Sequence, residues 1–207
     1  MSYEWKDMTS ILNFGLESQR NIADLNKVAS EIIKQRNYDD VVNNVKELLV
    51  IADAATGEET MELVKKERCL DKLEAEFSRT HVEIMKECKL LEELRHANEA
   101  YIQKITEEIA EAEDAIKNKT LRVSKQLDWK ALENVLRKRI TELHTSKTVA
   151  ESFSAQIKLA EENGAAMADK IWNSSVTVLP LLRGRISMET GKTVIAQAKK
   201  LISEVMK

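Results

Sequence analysis

A chain of 207 residues with one proline, five glycines and 4% aromatic residues has few places to make the turns of a β-rich or α/β fold. With 43% hydrophobic and 32% charged residues it is too apolar for disorder, yet no unbroken apolar run reaches the ~18 residues of a membrane span. A net charge of -3 calls for neither nucleic acid nor membrane, and the acidic, polar opening Met-Ser-Tyr-Glu-Trp is not a secretory signal, so the cytoplasm is the expected address.

The first segment, about 2–35, places Ile11, Leu12, Leu16, Ile22, Leu25, Val28 and Ile32 at helical spacing, with Gly15 marking a kink or a close helix contact. A short break begins at Asn37, where Asp39 and Asp40 can cap a second helix. That helix runs to about Ala55, buries Val41, Val45, Leu48, Leu49 and Ala52, and closes at Thr56-Gly57. From Glu58 to about Asn118 there is neither Gly nor Pro. Leu63, Leu70, Phe77, Ile84, Leu91, Asn98, Ile105 and Ala112 recur every seven residues, flanked by Leu73, Cys88, Leu94, Ile102, Ile109 and Ile116. This heptad seam predicts a helix of ~90 Å, too long for one globule without a partner of matching length.

Residues 118–126 are polar and basic and read as a connecting turn. A second long helix then starts near Asp128, with Trp129, Leu136, Leu143, Ala150, Ile157, Gly164 and Ile171 in seven-residue steps. Leu132, Ile140, Phe153, Ala160 and Met167 support that seam. Pro180 is expected to kink or stop it. After Gly184 a last amphipathic helix is expected, with Val194, Ile195, Ala198, Leu201, Ile202 and Val205 on one face.

The charge is unevenly spread: residues 58–118 carry 10 basic and 17 acidic side chains, and residues 119–207 carry 16 and 9. Two long helices of opposite sign, matched seams and a short link predict an antiparallel hairpin. A basic surface offered to phosphate or lipid is the alternative reading of the same asymmetry.

Motifs for nucleotide binding, metalloprotease chemistry, dithiol redox work or a nucleophile elbow are absent from the sequence. His81 and His96 lie ~22 Å apart on one helix, so they cannot share a metal, and no metal or cofactor is expected. Cys69 and Cys88 lie ~28 Å apart along the same helix, well beyond disulfide reach, and read as thiols of a helix seam. Asn98 is the polar residue of the long seam, where an amide sets register between helices. The adjacent carboxylates Glu92-Glu93 and Glu107-Glu108 diverge around their helix and form no catalytic dyad. Arg137-Lys138-Arg139 and Arg183-Gly184-Arg185 are the candidates for anion or lipid contact.

The stretch Ile11-Leu12-Asn13-Phe14-Gly15-Leu16-Glu17-Ser18-Gln19-Arg20 resembles the opening motif of the toxic anion resistance (TelA-like, tellurite resistance) family. The segments Leu73–Phe77, Leu90-Leu91 and Asn98–Tyr101 are similar to that family's central helix, and Ala168–Ser175 leading to Leu179-Pro180-Leu181 to its later segment. Leu182 stands where an aromatic residue is common, and Gln156 alone represents a glutamine-rich stretch. Members also carry a further N-terminal region, so a shortened or divergent member is implied. The resemblance implies a helical protein linked to tellurite and other toxic anions in a bacterial stress response, with no catalytic residues to carry over.

The expectation is therefore an all-α, elongated helical bundle with a long antiparallel coiled-coil hairpin. Residues 1–57 would form an N-terminal helical pair, 58–180 the hairpin and 181–207 a C-terminal amphipathic helix. The function expected is a non-enzymatic scaffold acting through protein partners, with homo-oligomerisation open. The alternative is a peripheral membrane-stress protein assembling on anionic lipid. The expected partner-binding residues are Phe14, Gly15, Gln19, Pro180, Arg183 and Arg185, with Asn98 setting register.

Overall fold

The computed structural model describes Trp5 and residues 8–36, 38–54, 60–118 and 129–189, and every regular element among them is helical. The elements are α1 (Met8–Asn13), α2 (Leu16–Gln35), α3 (Asp39–Ala54), α4 (Thr60–Lys117) and α5 (Trp129–Asn173). A π-turn (Ser174–Val178) follows, and then α6, residues 179–189. The protein is an all-α helical bundle. Contacts group it into two compact units, one of Met1–Gln35 with Lys89–Glu162 and the other of Arg36–Cys88 with Asn163–Lys207.

In the first unit, α1 and α2 pack with the second half of α4 and the first part of α5. Ile11, Phe14, Ile22, Ile105, Ala112, Leu132, Leu136 and Leu143 form its main core, continued by Leu25, Ala29, Leu91 and Ile157. The α4 and α5 segments run antiparallel here, since Arg95 meets Glu161 whereas Glu113 lies opposite His144. In the second unit, α3 packs with the first half of α4, the end of α5 and α6 around Val41, Leu48, Leu63, Leu70, Phe77, Ile171, Leu179 and Ile186. Pairing is again antiparallel: the ring of His81 lies 5.6 Å from that of Trp172, and Asp71 meets Arg183.

All eight members of the α4 heptad series are buried, as are six of the seven in α5; Trp129 is partly covered. Each large aliphatic side chain placed there contributes roughly 1.5–3 kcal/mol of burial. The cross-helix ion pairs only partly follow the charge asymmetry. Arg183 of the basic stretch bonds Asp71 and Glu74 of the acidic one, whereas Arg95 and Glu161 pair with the signs reversed.

Some expectations hold and others need correction. The N-terminal segment is two helices separated at Phe14-Gly15, and of the two readings of Gly15 the close helix contact holds, with Leu143 and Glu108 against it. The helical spacing of the N-terminal apolar residues holds, although Leu12 and Val28 are themselves 54% and 46% exposed. Helical structure does not stop at Pro180 or restart after Gly184; it runs through both to Glu189. In a regular α-helix the Pro180 ring would collide with the carbonyl four residues back. The π-turn ends two residues before it, where the Leu179 N–H donates to the Ser174 carbonyl five residues earlier, and its wider path lets the helix continue. The expected closure at Thr56-Gly57, most of the connecting turn and the last amphipathic helix lie outside the described residues.

Candidate functional site

Phe14 and Gly15 end α1 and redirect the chain into α2. Gly15 has φ +67°, a left-handed conformation that costs a residue with a Cβ about 1–2 kcal/mol. Space forbids a side chain there as well: a Cβ would lie 2.6 Å from Leu143 Cδ2 and 3.0 Å from Glu108 Oε2. Phe14 is buried, with its ring 4.7 Å from that of Trp5. The turn is therefore seated directly on α4 and α5.

Polar side chains hold it. Arg139 of α5 is 5% exposed, and its Nε donates to the Phe14 carbonyl at 2.6 Å while Nη1 donates to Glu142 Oε2 at 2.9 Å. On α2, the fully buried Ser18 hydroxyl donates to Glu108 Oε1 at 2.8 Å. Gln19 Nε2 donates to the Ser146 hydroxyl at 2.7 Å and to the Glu142 carbonyl at 3.2 Å. Two buried atoms of this cluster, Glu108 Oε2 and Arg139 Nη2, have no hydrogen-bond partner. Burial pushes the Glu108 carboxyl above the usual carboxylate range, partly opposed by the Ser18 hydroxyl and by the charges of Lys104 and Arg139. The cluster binds helix to helix, and its donors and acceptors converge on the turn.

Phe14, Gly15 and Gln19, expected as partner-binding residues, thus all lie at this turn and face α4 or α5. Ser18, Glu108, Arg139, Glu142 and Ser146 complete the cluster but were not assigned to it from sequence, because they lie about 90 to 127 positions from their partners. Arg139 was visible only as part of a basic run. That run divides in the structure: Arg139 turns inward, and Arg137 bonds Glu133 one helical turn back. Asn98, in the same unit, is fully buried; its Nδ2 donates to the Ala150 carbonyl at 2.8 Å, and its Oδ1 has no partner.

Pro180, Arg183 and Arg185 belong to the second unit. Pro180 and Arg185 are exposed. Arg183 Nη2 donates to Asp71 Oδ1 at 2.6 Å and to Glu74 Oε2 at 2.7 Å, so its charge is used in tying α6 to α4. Beside the π-turn, Val41, Val45, Lys46, Met167, Lys170 and Asn173 line an open groove. Both cysteines are free thiols. Cys69 donates to Glu47 Oε1 at 3.0 Å, and burial together with that carboxylate pushes its thiol up to about 11.

These features define an all-α protein of paired long helices, with an N-terminal helix clamped through a glycine turn. The chain belongs to the toxic anion resistance protein (TelA) family, whose sequence model matches residues 65–206. The Ile11–Arg20 motif lies N-terminal to the matched residues. The chain is also similar to the uncharacterized protein YaaN of Bacillus subtilis (strain 168), at 23% identity over 224 residues. That alignment covers 88% of this chain and 58% of YaaN, so the chain spans little more than half of that relative's length. No solved structure matches. Among the described residues, no helix is long and apolar enough to cross a membrane.

Proposed function

We propose that this chain is a non-enzymatic helical scaffold of the cytoplasm that serves resistance to tellurite or related toxic anions through protein partners in a bacterial stress response. The observation that carries the reading is membership of the toxic anion resistance family over residues 65–206. What supports a scaffold over chemistry on the anion is how the reactive-looking groups are used. Arg183, Gln19 and Arg139 are spent on helix-to-helix contacts, and the Cys69 thiol is held protonated at neutral pH by burial and Glu47.

The test is tellurite tolerance in a sensitive bacterium expressing the chain with and without its neighbouring genes. Tolerance should rise with the neighbours present and survive the Cys69→Ser/Cys88→Ser double substitution. No gain in either background would defeat the resistance reading. Loss of tolerance in the double serine variant would defeat the non-enzymatic one.

A further inference from the structure

The outer side of the helix from Trp172 to Met188 is poor in charge for a chain with 32% charged residues. Eleven residues between 172 and 188 are exposed, and Arg185 is the only charged one among them. Trp172, Val176, Leu181 and Met188 are 56%, 52%, 69% and 65% exposed. At ordinary side-chain areas, these together with Pro180 present on the order of 500 Å² of apolar surface, the upper range for a patch on a monomer.

The π-turn keeps this face straight. Buried positions run 171, 174, 179, 182 and 186, so the step from 174 to 179 is one residue longer than an α-helical turn. That extra residue resets the phase. Positions 172, 176, 180, 184 and 188 consequently all stay exposed, where an unbroken α-helix would carry a four-residue stripe steadily around its axis.

The stripe is complementary to itself. In an antiparallel pair centred on Pro180, Trp172 of one protomer faces Met188 of its partner, a sulfur–aromatic pairing. Val176 faces Gly184, where a Cβ would meet nothing within 4 Å, so each glycine leaves an open socket for a valine. A mid-helix glycine costs about 1 kcal/mol relative to alanine, which close approach of a second helix would offset. Two such faces bury on the order of 1,000 Å², the threshold for a specific interface. Anionic lipid fits less well: helices that lie on it carry Lys and Arg along their polar face, and Arg183 is already bound to Asp71 and Glu74.

We infer that two copies of this chain pair through residues 172–188, antiparallel about a two-fold axis at Pro180. The pairing supplies a self-association surface for the proposed scaffold and rests on that reading only for its biological use. Sedimentation velocity on the full-length chain should show a dimer at micromolar concentration. Val176→Glu should weaken it more than about tenfold by placing a carboxylate in the contact, with helical dichroism unchanged because Val176 is exposed. Since Val176 and Gly184 meet across the axis, Val176→Glu combined with Gly184→Lys should restore the dimer. In a Cys69→Ser/Cys88→Ser background, Pro180→Cys should cross-link to its own copy under copper–phenanthroline, whereas Lys158→Cys should not.

A chain that stays monomeric, or a dimer indifferent to Val176→Glu, would overturn the inference. So would a monomer that co-sediments with phosphatidylglycerol vesicles and loses that binding in Val176→Glu. Tellurite tolerance is scored separately, so a dimer without resistance would sink the functional proposal and leave the interface standing.

Discussion

Cys88 Sγ fills the space into which any side chain on Gly164 would grow: a Cβ there would lie 2.5 Å from the sulfur and 3.1 Å from Arg36 Nη1 and Nη2. Arg36 is itself held, donating from Nη2 to Cys88 Sγ at 3.5 Å and from Nε to Glu87 Oε2 at 3.2 Å. The seven-residue series of α5 thus places a glycine where α4 and the Arg36 side chain leave no room for a Cβ.

Gly164→Ala sets two effects against each other. Helix propensity favours alanine by about 1 kcal/mol, and overpacking costs roughly 1–3 kcal/mol. With the neighbours held by bonds of their own, overpacking wins, and urea unfolding should show a net loss of up to about 2 kcal/mol. Cys88→Ala in the same chain should return most of it, giving a favourable coupling in the double-mutant cycle. A Gly164→Ala variant more stable than the parent would show that the contact yields easily.

Gly15→Ala meets two separate obstacles. The left-handed backbone costs about 1–2 kcal/mol, and the methyl group would run into Leu143. Total destabilisation of about 2 kcal/mol or more is expected, with hydrogen exchange accelerating first in α1 and α2. Leu143→Ala would remove the collision without relaxing φ. It should not rescue the variant, because it also hollows out the core.

Glu108 makes the same region sensitive to pH. Burial raises its folded pKa above the value of the unfolded chain. Its contribution to stability is therefore fully present below the unfolded carboxylate pKa, about 4.5. It is lost as pH rises through the folded pKa, where the native state must ionise a half-buried group. Glu108→Gln keeps an oxygen for the Ser18 hydroxyl and removes the titration. The variant should gain on the parent at neutral pH, and the difference should shrink as pH falls toward 4, read from thermal melts across that range. An advantage that instead grows in acid would mean the Glu108 charge is favourably paired.

The long seams were legible because one repeat served one purpose: every seventh residue of α4 from Leu63 to Ala112 is buried. Gly15 was legible as an interruption, since glycine amid helix formers has few other uses. Leu12 and Val28 stand exposed at helical spacing, because that spacing identifies an apolar stripe without saying how wide a face the neighbouring helices cover. Arg139 was hidden in a run of basic residues, and only the distant Phe14 carbonyl and Glu142 show why it turns inward. The continuation past Pro180 was beyond periodicity altogether, because a π-turn inserts one residue and then restores the pattern.

Asn98→Leu tests what the polar position in the α4 seam contributes. The amide Nδ2 bonds the Ala150 carbonyl at 2.8 Å, but Oδ1 is buried without a partner, a loss typically worth 1–3 kcal/mol. Leucine occupies similar volume and has nothing to satisfy, so denaturation should show a gain of about 1 kcal/mol. The gain should come with a loss of specificity: an apolar seam tolerates neighbouring alignments of α4 on α5 that the Asn98–Ala150 bond rejects. Engineered cysteine pairs between the two helices would read this out, since the parent should cross-link in one alignment and Asn98→Leu in several. A large fall in stability would reverse the argument, because the bond to Ala150 would then outweigh the unsatisfied oxygen.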